Sequence, residues 1–191
     1  MTYRRVLAVG TLVLLSCCSL WLVGCSPAEG IHQVRVPAEY SERRGAKPTL
    51  PAASGEAPEA GGLKYQTPTG WTVKANGPMR LASLDIIDGK QKCDVSLIRL
   101  GPDQPVLENV NRWRKQIQLA EATESKLQLQ PIRCGSHDGQ LVQLVGETET
   151  ILGVIVPQPD ATWFVKLQGP NALALRELEK FVAFTESIEL P

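Results

Sequence analysis

The side chains that could do chemistry are few in this chain, and their spacing decides what each can do. There are two histidines, His32 and His137, and five cysteines. Cys17, Cys18 and Cys25 lie in or at the end of an apolar N-terminal stretch, and only Cys93 and Cys134 lie in the body. Cys134, His137 and Asp138 are near one another, but a zinc site needs a further Cys or His pair at its own spacing, and the sequence has none. Ser136-His137 places a hydroxyl beside an imidazole in sequence only. Nucleophilic catalysis needs the base to converge on the nucleophile in space, and Gly135 to Gly139 reads better as a turn. Gly61-Gly62 does not open a helix after a strand, so it is no phosphate loop. Glu147 and Glu149 share one side of a strand end, as solvated edge charges do. No catalytic residue, metal site or cofactor is therefore expected. Cys93 and Cys134 form no C-x-x-C pair, which argues against thiol–disulfide catalysis. A structural disulfide requires their Cα atoms within about 7 Å; either their strands are neighbours and the bond forms, or these are two separate buried thiols. The remaining candidate is a surface. Asn111, Arg112 and Arg114 lie close together on the polar side of a helix, and arginine is favoured in interfaces; a solvated helix face is the alternative.

Cys25 differs from the other thiols because of what precedes it. Met1 to Arg5 is short and basic, and Val6 to Val23 is almost wholly apolar, which is the layout of a secretory signal. Such a stretch could also form a minimal membrane span. Leu22-Val23-Gly24-Cys25 decides between them, because it resembles the lipobox of bacterial lipoproteins. The resemblance implies a diacylglycerol on the Cys25 thiol, cleavage before Cys25 and acylation of the new amine. Ser26, in place of Asp, implies sorting to the outer membrane, facing the periplasm. Several acyl chains on one residue hold a protein to a bilayer stably, where a single chain does not. Leu14-Leu15-Ser16-Cys17 fits the pattern loosely but would leave too short an apolar core. An uncleaved anchor and a plain secretory signal are the alternatives.

Three segments follow: a signal over 1–24, a lipidated Cys25 with a tether over 25–62, and a globular domain over 63–191. The tether carries Pro27, Pro37, Pro48, Pro51 and Pro58 among Gly, Ala, Ser and Glu. That composition cannot bury enough apolar surface to offset its ordering entropy. A flexible chain of this length reaches roughly 30–35 Å. Ile31 to Pro37 alternates apolar and polar residues as a short strand would, and could dock on the domain or on a partner. Formal net charge is zero, and loss of Arg4 and Arg5 with the leader brings it to about −2. Such a balance gives no electrostatic reason to bind nucleic acid.

The body must supply the elements that position everything else. Leu63 to Pro68 reads as a short strand before the turn Thr67-Pro68-Thr69-Gly70, with Trp71 a core anchor. Met79 to Ile87 and Lys92 to Leu100 alternate and make a hairpin across Asp88-Gly89. Val106, Val110, Trp113 and Ile117 form one apolar stripe of a helix over Val106 to Leu119. Leu127 to Cys134, Gln140 to Glu147, Ile151 to Val156 and Thr162 to Gln168 are strand-like. The run Ile151 to Val156 is apolar on both faces and should be an interior strand. Asn171 is placed to cap a last helix that runs to about Ser187. The expected class is α+β: a twisted antiparallel sheet of about six strands with two packed helices.

Two groups of residues carry a resemblance. Thr69-Gly70-Trp71 with Met79 to Ser83, and Asn109 to Arg114 with Val156-Pro157 and Thr162 to Leu167, resemble a family of uncharacterised envelope lipoproteins from planctomycete-type bacteria. No activity follows from it. The Pro-x-Gly-Trp start, the sheet and the closing helix are also similar to the PsbP-like α/β/α sandwich, whose members are mostly non-enzymatic binding or assembly proteins. The expectation is a membrane-anchored binding or assembly module with an envelope protein as partner. An extracytoplasmic enzyme whose site converges only in the fold, and a purely structural envelope protein, are the alternatives.

Overall fold

The structure is a computed structural model and describes residues 63–191. The signal, Cys25, the tether and the strand-like segment 31–37 lie outside the described residues. The chain forms β1 (Trp71–Val73), β2 (Arg80–Asp88) and β3 (Gln91–Leu100), then helix α1 (Val106–Gln116). After a 3₁₀ turn at Glu124–Lys126 come β4 (Leu129–Cys134), β5 (His137–Val145), β6 (Glu149–Pro157) and β7 (Thr162–Pro170). Helices α2 (Asn171–Arg176) and α3 (Leu178–Ser187) close the domain. The strands make one antiparallel sheet in the order β1-β2-β3-β7-β6-β5-β4. The class is α+β as expected, with seven strands and three helices in place of about six and two.

Alternation sorts the side chains onto two faces. Ala82, Leu84 and Ile86 on β2, Cys93, Val95 and Leu97 on β3, and Trp163, Val165 and Leu167 on β7 share one face. They form a single core with Leu173, Phe181 and Phe184 of the closing helices and with Leu63, Tyr65 and Trp71. The opposite face holds a smaller core, in which Val110, Trp113 and Ile117 of α1 meet Val142, Leu144, Ile151, Ile155 and Phe164. The sheet is thus the middle layer of three. Its strand β6 has apolar partners on both sides, which is why Ile151 to Val156 reads as a continuous apolar run. Gly153 is what lets α1 come close. A Cβ there would lie 2.7 and 2.8 Å from the Cε3 and Cη2 atoms of Trp113, and nearer still to Cζ3.

Several boundaries differ from the sequence expectation for identifiable reasons. Leu63 to Pro68 forms no extended strand; Leu63 and Lys64 are single bridge residues, Lys64 paired with Glu189. The chain then turns through a bond from the Trp71 amide to the Pro68 carbonyl, with Gly70 at φ 88°, the glycine position of a type II turn. Helix α1 stops at Gln116 rather than Leu119, because Gln118 takes a left-handed φ of 60°. The loop between β4 and β5 is tighter than Gly135 to Gly139, with Cys134 and His137 already paired across the two strands. Asn171 does not cap its own helix. Its amide donates to the Gly146 and Glu147 carbonyls and its oxygen accepts from Thr150 Oγ1, tying the α2 start to the β5–β6 hairpin. The closing helix is broken at Glu177, which sits at φ −87°, ψ 4° between α2 and α3.

Candidate functional site

The sheet decides where a site can be, because its two faces are covered unequally. The closing helices and Trp71 cover one face across the sheet. Helix α1 covers the part of the other face built by β5, β6 and β7, together with Ile98 and Leu100 at the end of β3, and leaves the rest of that face without a helix. Where β1, β2 and β3 continue that face, the alternate positions carry polar groups: Ser83 and Asp85 on β2, Lys92, Asp94 and Ser96 on β3. Lys166 and Gln168 of β7 join them, since Ser96 pairs with Lys166 and Asp94 with Gln168 across the strands.

These groups form a connected ionic cluster. Lys74 Nζ donates to Asp85 at 2.6 Å and to Asp94 at 2.5 Å. Arg80 grips both oxygens of Asp94, Nη1 at 3.0 Å and Nη2 at 2.9 Å. Lys92 reaches the second oxygen of Asp85 at 2.7 Å. Burial pushes both aspartates toward the neutral form. Hydrogen bonds from Arg80 and Lys74 to Asp94, and from Lys74 and Lys92 to Asp85, outweigh it and hold both carboxyls below the ordinary carboxylate range. Lys166 is in a different position. Its ammonium donates to Gln116 Oε1 at 2.9 Å and Gln168 Oε1 at 3.1 Å, two neutral acceptors. Burial is the main cause that lowers its pKa, and nearby Asp94 counters it only in part. Ser83 and Ser96 lie at the sheet level of this region, 0% and 6% exposed.

Two features of the sequence mark this cluster. One is the run of charged residues at alternating positions of β2 and β3; the other is a lysine inside the apolar strand Thr162 to Gln168. Neither says that the face is left open, because that depends on how much of the sheet α1 spans. Two large apolar residues flank the region exposed, Met79 at 74% before β2 and Ile87 at 64% near its end. Met79 also takes a left-handed φ of 63°, a conformation that costs a non-glycine residue about 1 kcal/mol.

The residues singled out by sequence do not assemble into a site. Asn111 brackets Ala122, accepting from its amide at 2.8 Å and donating to its carbonyl at 3.0 Å. Arg114 Nε donates to the Ala120 carbonyl at 2.5 Å. Both side chains hold the loop that follows α1, and Arg112 alone of the three is exposed. Asp138 pairs with Arg133, which also donates to the Ser136 carbonyl, so this turn is braced internally. Among the described residues no three His, Cys, Asp or Glu side chains gather as a metal site would require. A shallow depression of about 320 Å³ lined by Leu129, Pro131, Asp138, Gln140 and Pro157 lies toward the β4 edge.

A disulfide between Cys93 and Cys134 is ruled out by the strand order. Both thiols are free and buried, and β7, β6 and β5 separate β3 from β4. Four steps at the usual strand spacing put them roughly 15–20 Å apart, far beyond disulfide reach. Burial raises the Cys134 thiol to about 12 and, helped by Glu177, the Cys93 thiol to about 11. Inaccessible thiols held neutral do not react. An alkylating reagent added to the folded chain should leave both unmodified, and both should react in denaturant, as read by peptide mass spectrometry. Modification of either without denaturant, or a crosslinked peptide pair in an unreduced digest, would contradict this.

No family model matches the chain, and no curated protein sequence matches it. Solved structures similar to it include a protein from Bacteroides thetaiotaomicron, with 12% identity over 68% of this chain and a TM-score of 0.41. This chain spans 45% of that protein's length. LpqN, involved in cell envelope biogenesis of Mycobacterium tuberculosis, is similar over 66% of this chain and 81% of its own, with 14% identity and a TM-score of 0.39. Cyanobacterial PsbP from Synechocystis is similar over 78% of this chain and 99% of its own, with 11% identity and a TM-score of 0.44. Likenesses this distant carry no argument about activity. Among the described residues no helix is long and apolar enough to cross a membrane.

Proposed function

We propose that this chain is a lipid-anchored module of the bacterial envelope, held by Cys25 at the outer membrane, that binds a protein partner through the open half of its sheet. The observation that carries the reading is the unequal cover of the sheet. The half of the face that α1 reaches only at its margin, through Gln116, is built of charged groups already oriented by one another, and preorganised groups lose little entropy on binding. Exposed Met79 and Ile87 at its two ends supply apolar contact, so the region has the apolar and charged composition of an interface. Lys74, Arg80, Lys92 and Lys166 face only Asp85 and Asp94, with Glu149 at the margin, which favours an acidic partner surface.

Two experiments test the reading. Labelled palmitate should be incorporated into the full chain, and Cys25→Ala should abolish both labelling and membrane retention. Retention of the alanine variant would instead mean that the leader itself is the anchor. A photo-crosslinking residue at Met79 or at Ile87, in cells of the native envelope, should give a discrete adduct. The same residue at exposed Glu179 on α3, behind the sheet, should give none. Equal adducts from all three positions, or none from Met79 and Ile87, would refute docking on this face.

A further inference from the structure

Within the open face, one set of neighbouring positions carries donors that the protein itself does not use. Ser83, Ser96 and Lys166 stand side by side on β2, β3 and β7, for Ser96 is the cross-strand partner of both Ser83 and Lys166. Ser83 is fully buried, and its hydroxyl has no hydrogen-bond partner. Buried polar groups without partners are uncommon, and each calls for a cause. Beside it, the Lys166 ammonium has three donors and commits two, both to neutral amide oxygens. Lys166 is also the one cation of the cluster with no carboxylate in ion-pair reach among the described residues. Gln168 is held in turn by Glu149, at 3.1 Å, so the acceptor that orients Lys166 is itself fixed.

We propose that these positions form a recess, opened as the Arg80 side chain swings aside, that binds an oxyanion group, a phosphate or a carboxylate. Lys166 Nζ supplies the charge and the Ser83 hydroxyl a hydrogen bond. Arg80 stands next to it and is held only through Asp94. Its fork can turn from Asp94 to an incoming oxyanion, which it pairs in the same bidentate manner, and in turning it uncovers the strand positions below. Lys74 remains on the two aspartates and keeps their charge from repelling the ligand. The inference deepens the binding reading given above and rests on it, naming the group that the open face recognises.

The test is calorimetric titration of the full chain, in a non-ionic detergent, with inorganic phosphate and with acetate. Saturable binding of either anion is expected, weakened at least tenfold by Lys166→Met and within threefold of the parent in Lys166→Arg. Ser83→Ala should weaken it severalfold while leaving the fold intact, and so keeps the test available if Lys166→Met does not fold. Lys126→Met, which removes an exposed cation on the 3₁₀ turn outside the cluster, should change affinity less than threefold. Binding of phosphate alone supports the recess and points to a phosphate source; binding of acetate as well supports it and points to acidic side chains. No saturable binding of either anion, or unchanged affinity in Lys166→Met and Ser83→Ala, overturns the proposal. If that happens while the crosslinks from Met79 and Ile87 persist, the recess is wrong and the docking face stands. Anion binding without those crosslinks refutes the docking face instead.

Discussion

Replacing Gly153 by alanine is expected to destabilise the domain by about 2–3 kcal/mol, although the same change in an ordinary strand is stabilising. Glycine inside a strand costs roughly 0.5–1 kcal/mol relative to alanine, because it loses more freedom on folding. Gly153 has no left-handed backbone that would forbid a side chain. Its reason lies in Trp113, whose ring occupies the space that a Cβ would fill. Trp113 is 7% exposed and meets Phe164 edge to face, with centroids 6.1 Å apart. It can make room only by lifting α1 or by leaving its rotamer, the penalty of an overpacked core. A double-mutant cycle isolates the effect. Trp113→Leu alone is costly, since it vacates ring volume, but Gly153→Ala added to it should then be neutral or stabilising. The coupling should exceed 1 kcal/mol, read by urea denaturation. A cost for Gly153→Ala that survives unchanged in the leucine background would show that the ring is not what the glycine accommodates. The substitution also reaches the open face. Gly153 is the cross-strand partner of Lys166, and Gln116 of α1 is one of the two acceptors of Lys166 Nζ. Displacing α1 should therefore disturb the oxyanion recess along with stability.

This dependence explains what could be read from the sequence and what could not. The class, the β2–β3 hairpin, the α1 stripe and the interior position of Ile151 to Val156 follow from periodicity, because each records one element's own burial. The sheet order does not, since it is fixed by which strands meet across the core. Cys93 and Cys134 both occupy inward strand positions, and only the order β3-β7-β6-β5-β4 shows that they cannot bond. The same limit hid the candidate site. Asp85, Asp94 and Lys166 are ordinary solvent-face residues one at a time, and become a cluster because β2, β3 and β7 are neighbours. The polar side of α1 misled in the opposite direction. Asn111 and Arg114 stand out by type and spacing, but the helix ends early, and both are needed to hold the returning loop at Ala120 and Ala122. The expectation at Cys25 is of another kind: it rests on a short linear motif, for which no fold is required, and it lies outside the described residues.

Glu177→Ala should be the other large loss, about 2–4 kcal/mol in denaturant unfolding followed by tryptophan fluorescence. Glu177 is a carboxylate only 3% exposed, at the break between α2 and α3. It accepts from Trp71 Nε1 at 3.0 Å, from Lys180 at 3.1 Å and from Arg176 at 3.3 Å. The two cations are near the surface, and surface ion pairs contribute little. The bond to Trp71 is buried, and losing it leaves an indole N–H without a partner, which costs about 1–3 kcal/mol beyond the lost charge-assisted bond. Trp71 in turn packs on Phe184 of α3, with centroids 5.3 Å apart, so one carboxylate fixes β1, the helix break and the last helix together. Glu177→Gln keeps an acceptor for the indole and should cost less than half as much as the alanine change. An equal loss in both variants would mean that the negative charge, rather than the bond to Trp71, is what the site requires. Acid titration separates the two further. Burial raises the Glu177 pKa, but the bonds from Trp71 and Lys180 outweigh it and leave the folded carboxyl below its unfolded value. The folded state therefore holds its proton less tightly than the unfolded chain. The stability this confers is complete above the unfolded pKa of about 4.3 and is lost as pH falls through the lower folded value. The parent chain should consequently lose stability below about pH 4.3 more steeply than Glu177→Gln, which has no proton to take up there. Parallel acid profiles for the two would remove Glu177 from the groups that set the acid limit and leave that role to Asp85 and Asp94.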